Sequence, residues 1–213
     1  SNVPSLVVLT CKSRDNNWYL WKKIFIMIIS RTPFRISLFG GGSDFPSYYN
    51  DNLGKVIGFT FNRYNYILFN PKFQKNEFKY NINYSLNEKK NNINKIEHRS
   101  VRETLKYFKF TDPFELHYNG ELPARTGLGT SSAFTIGLCN IMNFINKKQI
   151  SKFNLAKQAT FIEQKKIKEF VGSQDQIHTS IGGLNKIIFR KKKIDIYPLN
   201  LNSEKINNIE TSS

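Results

Sequence analysis

Cysteine is scarce in this chain of 213 residues, which contains only Cys11 and Cys139. Two cysteines exclude a disulfide scaffold and a cysteine-ligated zinc site, and they suit a reducing compartment. Long hydrophobic runs are missing as well. The most apolar stretch, Ile24–Ile29, is far shorter than the roughly 20 residues that a membrane-spanning helix needs, and Arg31 follows it instead of a small-residue cleavage site. We therefore expect a cytoplasmic protein without a membrane segment.

Acidic residues are few relative to basic ones. The chain has 16 Asp and Glu against 32 Lys and Arg, which gives a formal net charge of +16. An excess of this size is typical of proteins that bind nucleic acid or another anionic surface. The basic runs are scattered, however, and no helix-turn-helix or RNA-binding signature accompanies them. We favour a solvated surface and expect no nucleic-acid partner, while a basic nucleic-acid-binding protein stays an alternative.

The apolar pattern predicts strands and helices in irregular order, without a repeating βαβ register. Residues 1–26 follow no period of 2 or 3.6, so we expect a leader outside the fold and a native start at Met27. The expected strands are Ile28–Phe39, Lys55–Thr60, Tyr64–Asn70, Phe114–Tyr118, Leu184–Phe189 and Ile194–Tyr197. Lys55–Thr60 and Tyr64–Asn70 are expected to pair as a hairpin. The expected helices are Pro46–Asn50, Glu97–Phe108, Ser132–Asn146 and Asn154–Phe170. An exposed basic hairpin is expected over 71–95, and a polar loop (SQDQ) is expected after Gly172.

The segment Pro123–Ser132 carries the strongest chemical signal. Its glycines at positions 127 and 129 let the backbone turn tightly and approach a ligand, and a predicted helix follows directly. A helix N-terminus presents unpaired N–H groups and about half a positive charge, so this order predicts a phosphate site. No Gly-Lys-Ser/Thr follows, which excludes a Walker A loop. An ordinary loop whose hydroxyls cap the helix is an equal alternative.

Two further segments carry candidate polar groups. Pro33–Phe45 combines Arg35, three glycines and Asp44, and would line a narrow pocket suited to a hydroxyl-rich ligand. Glu163 and Asp175 are two carboxylates that could serve Mg²⁺ and an acceptor hydroxyl. Taken alone, each has a structural alternative as a capping or solvated residue. His98, His117 and His178 show no metal-ligand spacing, and a structural role is favoured for His178, which lies near Asp175 in the sequence.

In their order and spacing, three segments resemble the motifs of the GHMP kinase superfamily, which includes galactokinase, homoserine kinase, mevalonate kinase and phosphomevalonate kinase. LPARTGLGTSSA is similar to the family's phosphate-binding motif, and RTPFRISLFGGGSDFPSYY to its first motif. IEQKKIKEFVGSQDQIHTSIGGLN resembles the stretch with the metal-binding Glu and the catalytic Asp. The triple glycine before Ser-Asp has the form seen in D-glycero-D-manno-heptose 7-phosphate kinases and related fucokinase-like sugar kinases.

The resemblance implies an α+β fold like the second domain of ribosomal protein S5. It implies an ATP-binding N-terminal domain over residues 27–200, with residues 201–213 as the start of a C-terminal domain that is largely missing. The implied activity is transfer of the ATP γ-phosphate to a sugar hydroxyl, foremost the anomeric hydroxyl of heptose 7-phosphate in the synthesis of cell-surface polysaccharide precursors. ATP and Mg²⁺ are the implied cofactors, and the implied partner is a small sugar or sugar phosphate. A fucose- or galactose-type kinase and a catalytically inactive fragment are the alternatives, and the oligomeric state is left open.

The resemblance also implies a role for each motif residue. Asp175 matches the general base, and Arg35 matches the basic residue that orients it. Ser131 and Glu163 match the ligands of Mg²⁺. The residues that match the nucleotide-phosphate loop are Pro123, Gly127, Leu128, Gly129, Thr130, Ser131 and Ser132. The residues that match the sugar site are Gly41, Gly42, Ser43 and Asp44.

Overall fold

The computed structural model describes residues 3–11, 25–71, 77–123 and 126–200. The strands within these residues are β1 (Ser5–Cys11), β2 (Phe25–Phe39), β3 (Gly54–Pro71), β4 (Tyr80–Asn83), β5 (Asn87–Lys90), β6 (Phe114–Gly120), β7 (Leu184–Arg190) and β8 (Lys193–Pro198). The helices are α1 (Pro46–Tyr49), α2 (Arg99–Phe108), α3 (Thr130–Ile145), α4 (Lys152–Phe161) and α5 (Gln174–Ile181). A 3₁₀ turn covers Ile93–Lys95, and a π-helical segment, Ile162–Ile167, continues α4.

The strand β3 organises the sheet. The strand order is β1-β2-β3-β6-β4-β5, and β7 and β8 extend the sheet from the first part of β3. Gly54–Phe59 pairs with β7 and Asn65–Pro71 pairs with β6, while β2 runs along the other edge of both parts. The hairpin expected from Lys55–Thr60 and Tyr64–Asn70 is therefore wrong. These segments form one strand because β2 pairs with both through a register shift between Pro33 and Arg35.

Part of the segment 1–26, expected to lie outside the fold, belongs to the sheet. Ser5–Cys11 forms β1 and pairs antiparallel with β2, with Ser5 opposite Arg31 and Leu9 opposite Met27. Val7 and Leu9 are exposed, whereas Leu6 packs against the main core. This short alternation suits a strand with one buried face, although it is too brief to stand out in the sequence.

Helices α2 and α3 bury one face of the sheet. Ile67 and Phe69 of β3 pack with Leu105 of α2 and Leu138 of α3, and all four side chains are inaccessible to solvent. The other side of α3 packs against α4, where Ile136 meets Leu155. Because α3 is enclosed by the sheet and by α4, the position of its N-terminus is set by the core.

The remaining predicted elements agree with the structure except in two places. The predicted helix Asn154–Phe170 is α-helical only to Phe161 and becomes π-helical through Ile167. The hairpin expected over 71–95 exists as β4 and β5, but Tyr80 and Ile82 are buried in the core; residues 72–76 lie outside the described residues. None of the described helices is long and apolar enough to span a membrane.

Candidate active site

The glycine loop ends at the first turn of α3. Gly127 and Gly129 adopt positive φ angles of 74° and 73°, a region that glycine enters without steric cost. Gly129 occupies the N-cap position and makes no side-chain cap hydrogen bond. The first N–H groups of α3 consequently have no capping side chain, and the helix dipole favours an anion beside them. Pro123 is exposed at the start of the loop, and residues 124–125 lie outside the described residues.

Arg35 of β2 lies directly against this loop. Its backbone N–H donates to the carbonyl of Leu128 at 3.2 Å, and its Nη1 donates to the carbonyl of Gly127 at 3.1 Å. Gly129 packs so closely on the guanidinium stem that a Cβ there would lie 3.1 Å from Arg35 Cγ. The glycines thus let the loop rest on the arginine side chain.

The same guanidinium forms an ion pair with Asp175. Arg35 Nη2 lies 2.6 Å from Asp175 Oδ2, and the aspartate side chain is 28% exposed. Asp175 belongs to the first turn of α5, where a polar loop was expected. Charge-assisted hydrogen bonds of this kind are short and directional, so Arg35 orients the carboxylate beside the glycine loop.

Glu163 reaches the N-terminus of α3 from the π-helical segment. Its Oε2 accepts a hydrogen bond from the Ser132 hydroxyl at 3.0 Å and another from Gln176 Nε2. Burial raises the pKa of Glu163 to about 7, although the Gln176 and Ser132 hydrogen bonds oppose the shift. The other carboxylate oxygen, Oε1, is buried and accepts no hydrogen bond.

Ser131 and Glu163 stay predicted ligands of Mg²⁺, but the hydroxyl that hydrogen-bonds to Glu163 in the structure is that of Ser132. Ser132 contacts Glu163, whereas Ser131 is exposed and its carbonyl accepts a hydrogen bond from Thr135 at 3.2 Å. Successive residues of an α-helix point about 100° apart, so the two hydroxyls leave the helix in different directions. The structure therefore adds Ser132 as the hydroxyl beside Glu163.

The donors around Glu163 fit a divalent cation. The unpaired Oε1 is a hard oxygen donor, and the hydroxyls of Ser131 and Ser132 lie in the adjacent turn. Within the described ranges, no group of three or more His, Cys, Asp or Glu side chains could form a metal cage. Mg²⁺ commonly takes one or two carboxylates and completes its shell with substrate phosphates and water, so the single carboxylate is compatible with that ion.

The loop Gly40–Asp44 lies beside α5, but its polar side chains are already engaged. Asp44 is 1% exposed and accepts hydrogen bonds from the backbone N–H groups of Gly42 and Gln174 at 3.2 and 3.0 Å. The Ser43 hydroxyl donates to the Gly40 carbonyl at 2.7 Å. Of the predicted sugar-site residues, the structure leaves Gly41 and Gly42 exposed, while Ser43 and Asp44 support the loop.

Three polar residues of this region are buried: Gln174 and Gln176, which sequence reasoning missed, and His178, for which it expected a structural role. Their exposed fractions are 8%, 0% and 0%. Burial, together with the charge of Arg35, lowers the pKa of His178 to about 4, so its ring is neutral at pH 7. The only available signal was the polar run SQDQ between Gly172 and Ile177, which a helix start explains better than a loop.

Part of this chain, including most of the candidate site, is similar to a known protein family. Residues 92–183 match the family model for the N-terminal domain of the GHMP kinases. Over these residues the chain is similar to the N-terminal domain of the GHMP kinases, in agreement with the resemblance and the fold expected from the sequence.

Individual relatives add detail. The D-glycero-alpha-D-manno-heptose 7-phosphate kinase of Campylobacter jejuni is 28% identical over 187 residues, which are 82% of this chain and 54% of the relative. The crystal structure of a D-glycero-D-manno-heptose 1-phosphate kinase from Bacteroides thetaiotaomicron matches with a TM-score of 0.75 and 21% identity, over 86% of this chain and 63% of that one. Lactococcus lactis galactokinase, complexed with galactose, matches with a TM-score of 0.61 and 19% identity, over 82% of this chain and 48% of that one. This chain thus spans about half of the curated relative's length, and the structural neighbours show the fold.

Proposed function

We propose that the protein is an ATP-dependent sugar kinase whose acceptor is a heptose 7-phosphate, phosphorylated at the anomeric hydroxyl. The observation that carries the proposal is the position of Arg35, which contacts the glycine loop with one guanidinium nitrogen and Asp175 with another. These contacts support the proposal because they bring the glycine loop, our candidate for phosphate binding, close to Asp175, our candidate base. A cytoplasmic location belongs to the proposal because ATP is the phosphate donor.

Phosphoryl transfer needs few covalent contributions from the protein. The acceptor oxygen forms a bond to the γ-phosphorus, the bond between that phosphorus and the β–γ bridging oxygen breaks, and ADP leaves. Asp175 takes the acceptor proton, while Arg35 orients the carboxylate and faces the charge that develops near the loop. Because the transition state is loose, positioning and charge neutralisation supply most of the rate enhancement.

Mg²⁺ would lie at the first turn of α3. When bound, it would neutralise charge on the transferred phosphate. Glu163 would hold it together with the hydroxyls of Ser131 and Ser132, and the N–H groups of Gly127–Ser132 would bind the nucleotide phosphates. The sugar would lie against the exposed backbone of Gly41 and Gly42, with Ser43 and Asp44 supporting that loop.

The heptose 7-phosphate assignment rests on two supports. One is the triple-glycine Ser-Asp motif of residues 40–44. The other is the 28% identity with the D-glycero-alpha-D-manno-heptose 7-phosphate kinase of Campylobacter jejuni. A kinase for fucose or galactose would use the same site chemistry, so the acceptor is decided by comparing these sugars in one assay.

The test is product formation by the wild-type protein and two matched variants. Heptose 7-phosphate, fucose and galactose are each incubated with Mg·ATP, and ³¹P NMR detects the new sugar phosphate. Asp175→Asn should lower turnover roughly 10²–10⁴-fold, the usual range for loss of a general base. Asp112→Asn changes an exposed aspartate and should leave turnover unaltered. Equal turnover in Asp175→Asn and Asp112→Asn would show that Asp175 is not the general base. If only fucose or galactose gave a product, heptose 7-phosphate would be the wrong acceptor.

A further inference from the structure

The two glutamines that flank Asp175 are buried, although glutamine is usually exposed. Both belong to the first turn of α5, and its N-cap residue, Ser173, makes no side-chain cap hydrogen bond. The start of this helix therefore depends on contacts with other segments. Buried polar side chains almost always have hydrogen-bond partners, and the partners of Gln174 and Gln176 differ.

Gln174 faces the loop Gly40–Asp44. Its Nε2 donates to Asp44 Oδ1 at 3.2 Å, and its backbone N–H donates to Asp44 Oδ2 at 3.0 Å. Its Oε1 accepts a hydrogen bond from the Ser37 hydroxyl at 2.8 Å. The backbone two residues before Gln174 also lies close to Asp44, because a Cβ at Gly172 would lie 1.8 Å from Asp44 Oδ2. Gln174 thus attaches the helix start to the end of β2 and to the proposed acceptor side.

Gln176 faces the opposite side. Its Nε2 donates to the Ser132 hydroxyl at 3.1 Å and to Glu163 Oε2. Both partners belong to the proposed site for Mg²⁺ and the nucleotide phosphates. Gln176 thus attaches the helix start to the first turn of α3 and to the π-helical segment.

We propose that Gln174 and Gln176 are positioning residues that hold Asp175 between the acceptor side and the phosphate side of the site. Residues two apart on a helix point about 200° away from each other. The side chains of Gln174 and Gln176 therefore bind segments on opposite sides of the helix. Asp175 lies between them in sequence and pairs with Arg35. This inference rests on the proposed function. It also gives the buried Asp44 a role, because Asp44 holds Gln174 and thereby the position of the proposed base, Asp175.

The test separates the two contacts by changing one glutamine at a time to methionine, which has a similar length and no hydrogen-bonding amide. Gln176→Met should weaken binding of Mg²⁺ with a non-hydrolysable ATP analogue by roughly 10–100-fold, as loss of an outer contact to a metal ligand does. It should leave the acceptor KM within about 2-fold, since that side keeps its partners. Gln174→Met should lower kcat and raise the acceptor KM, with nucleotide affinity unchanged.

The control is Gln158→Met on α4. Gln158 Oε1 accepts a hydrogen bond from Asn143 Nδ2 at 2.7 Å, so this variant also loses a partly buried amide contact. Asn143 lies 11 residues beyond Ser132 on α3, which is roughly 16 Å at 1.5 Å per residue. The control should leave nucleotide affinity, kcat and acceptor KM unchanged. Equal losses for both ligands in all three variants would indicate general destabilisation and would overturn the proposal.

Amide hydrogen exchange of residues 172–177 separates this inference from the proposed function. Both site variants should exchange faster than wild type over these residues, and Gln158→Met should not. Unchanged exchange in Gln174→Met and Gln176→Met overturns the positioning role whatever the wild type catalyses. A wild type that neither binds the Mg²⁺ complex nor phosphorylates a sugar overturns the proposed function, while the exchange data still decide whether the glutamines hold the turn.

Discussion

Glu163 should make the free protein less stable as the pH rises. Its carboxyl group is buried, and burial raises its pKa to about 7 from the ordinary value of 4.5. The folded chain therefore favours the protonated form. A raised pKa contributes stability that is fully present below pH 4.5 and is lost as the pH rises through 7. Glu163→Gln removes the ionisation and keeps the shape of the side chain.

The expected size follows from the two pKa values. At about 1.4 kcal/mol per pH unit, ionised Glu163 lowers the free energy of unfolding by roughly 3 kcal/mol at pH 8.5 and by less than about 1 kcal/mol at pH 5. On going from pH 5 to pH 8.5, the free energy of unfolding of Glu163→Gln should therefore rise by roughly 2–3 kcal/mol relative to that of wild type. In a chain of this length, that gain raises Tm by roughly 5–10 °C.

Urea unfolding of wild type and variant at pH 5 and 8.5 measures this difference. Other titrating groups, His178 included, act equally on both proteins at each pH and cancel in the comparison. Glu77→Gln, at an exposed position, should show no such pH dependence. Mg·ATP should narrow the gap at pH 8.5, because a cation favours ionised Glu163. If Glu163→Gln changed the free energy of unfolding by the same amount at both pH values, the claim that burial raises the pKa of Glu163 would be refuted.

Two further predictions concern the glycine loop and a buried histidine. Gly129→Ala and Gly127→Ala should each cost roughly 1–2 kcal/mol from their positive φ angles, but only the first places a methyl 3.1 Å from Arg35 Cγ. Gly129→Ala should therefore lower turnover much more than Gly127→Ala does. Equal turnover in the two variants would contradict the close contact between Gly129 and Arg35. For His178, whose pKa burial lowers to about 4, stability present above pH 6.5 is lost as the pH falls through 4. His178→Leu should remove that loss. If the free energy of unfolding in urea changed with pH in the same way for wild type and His178→Leu from pH 7.5 to 4, the buried neutral ring would be contradicted.

Local pattern was enough to predict several elements of the fold. The alternation of Phe114 and Leu116 with polar residues marks β6, and the spacing of Val101 and Leu105 marks α2. These predictions succeed because one buried face imposes a period on neighbouring residues. The pattern fails where two strands form one long element, as in β3, since the continuation depends on pairing with a distant strand.

The candidate site divides in the same way. The glycine loop could be recognised locally, because Gly127 and Gly129 have conformations that other residues rarely adopt. The burial of Asp44 and its bonds to Gln174 could not, because they depend on contact between segments 130 residues apart. The hydrogen bond of Ser132 to Glu163 depends on the rotation of α3 in the core, which no short motif encodes.

The amino-acid sequence by itself determined the order of the motifs, the periodic core faces and the polar residues available for phosphate chemistry. Only the tertiary structure decided which of these residues meet. Arg35 and Asp175 are 140 residues apart and come within 2.6 Å because β2 and α5 pack beside the same glycine loop. Periodicity and turn preference act over a few residues, whereas such a meeting requires the sheet register and the enclosed position of α3 to form together.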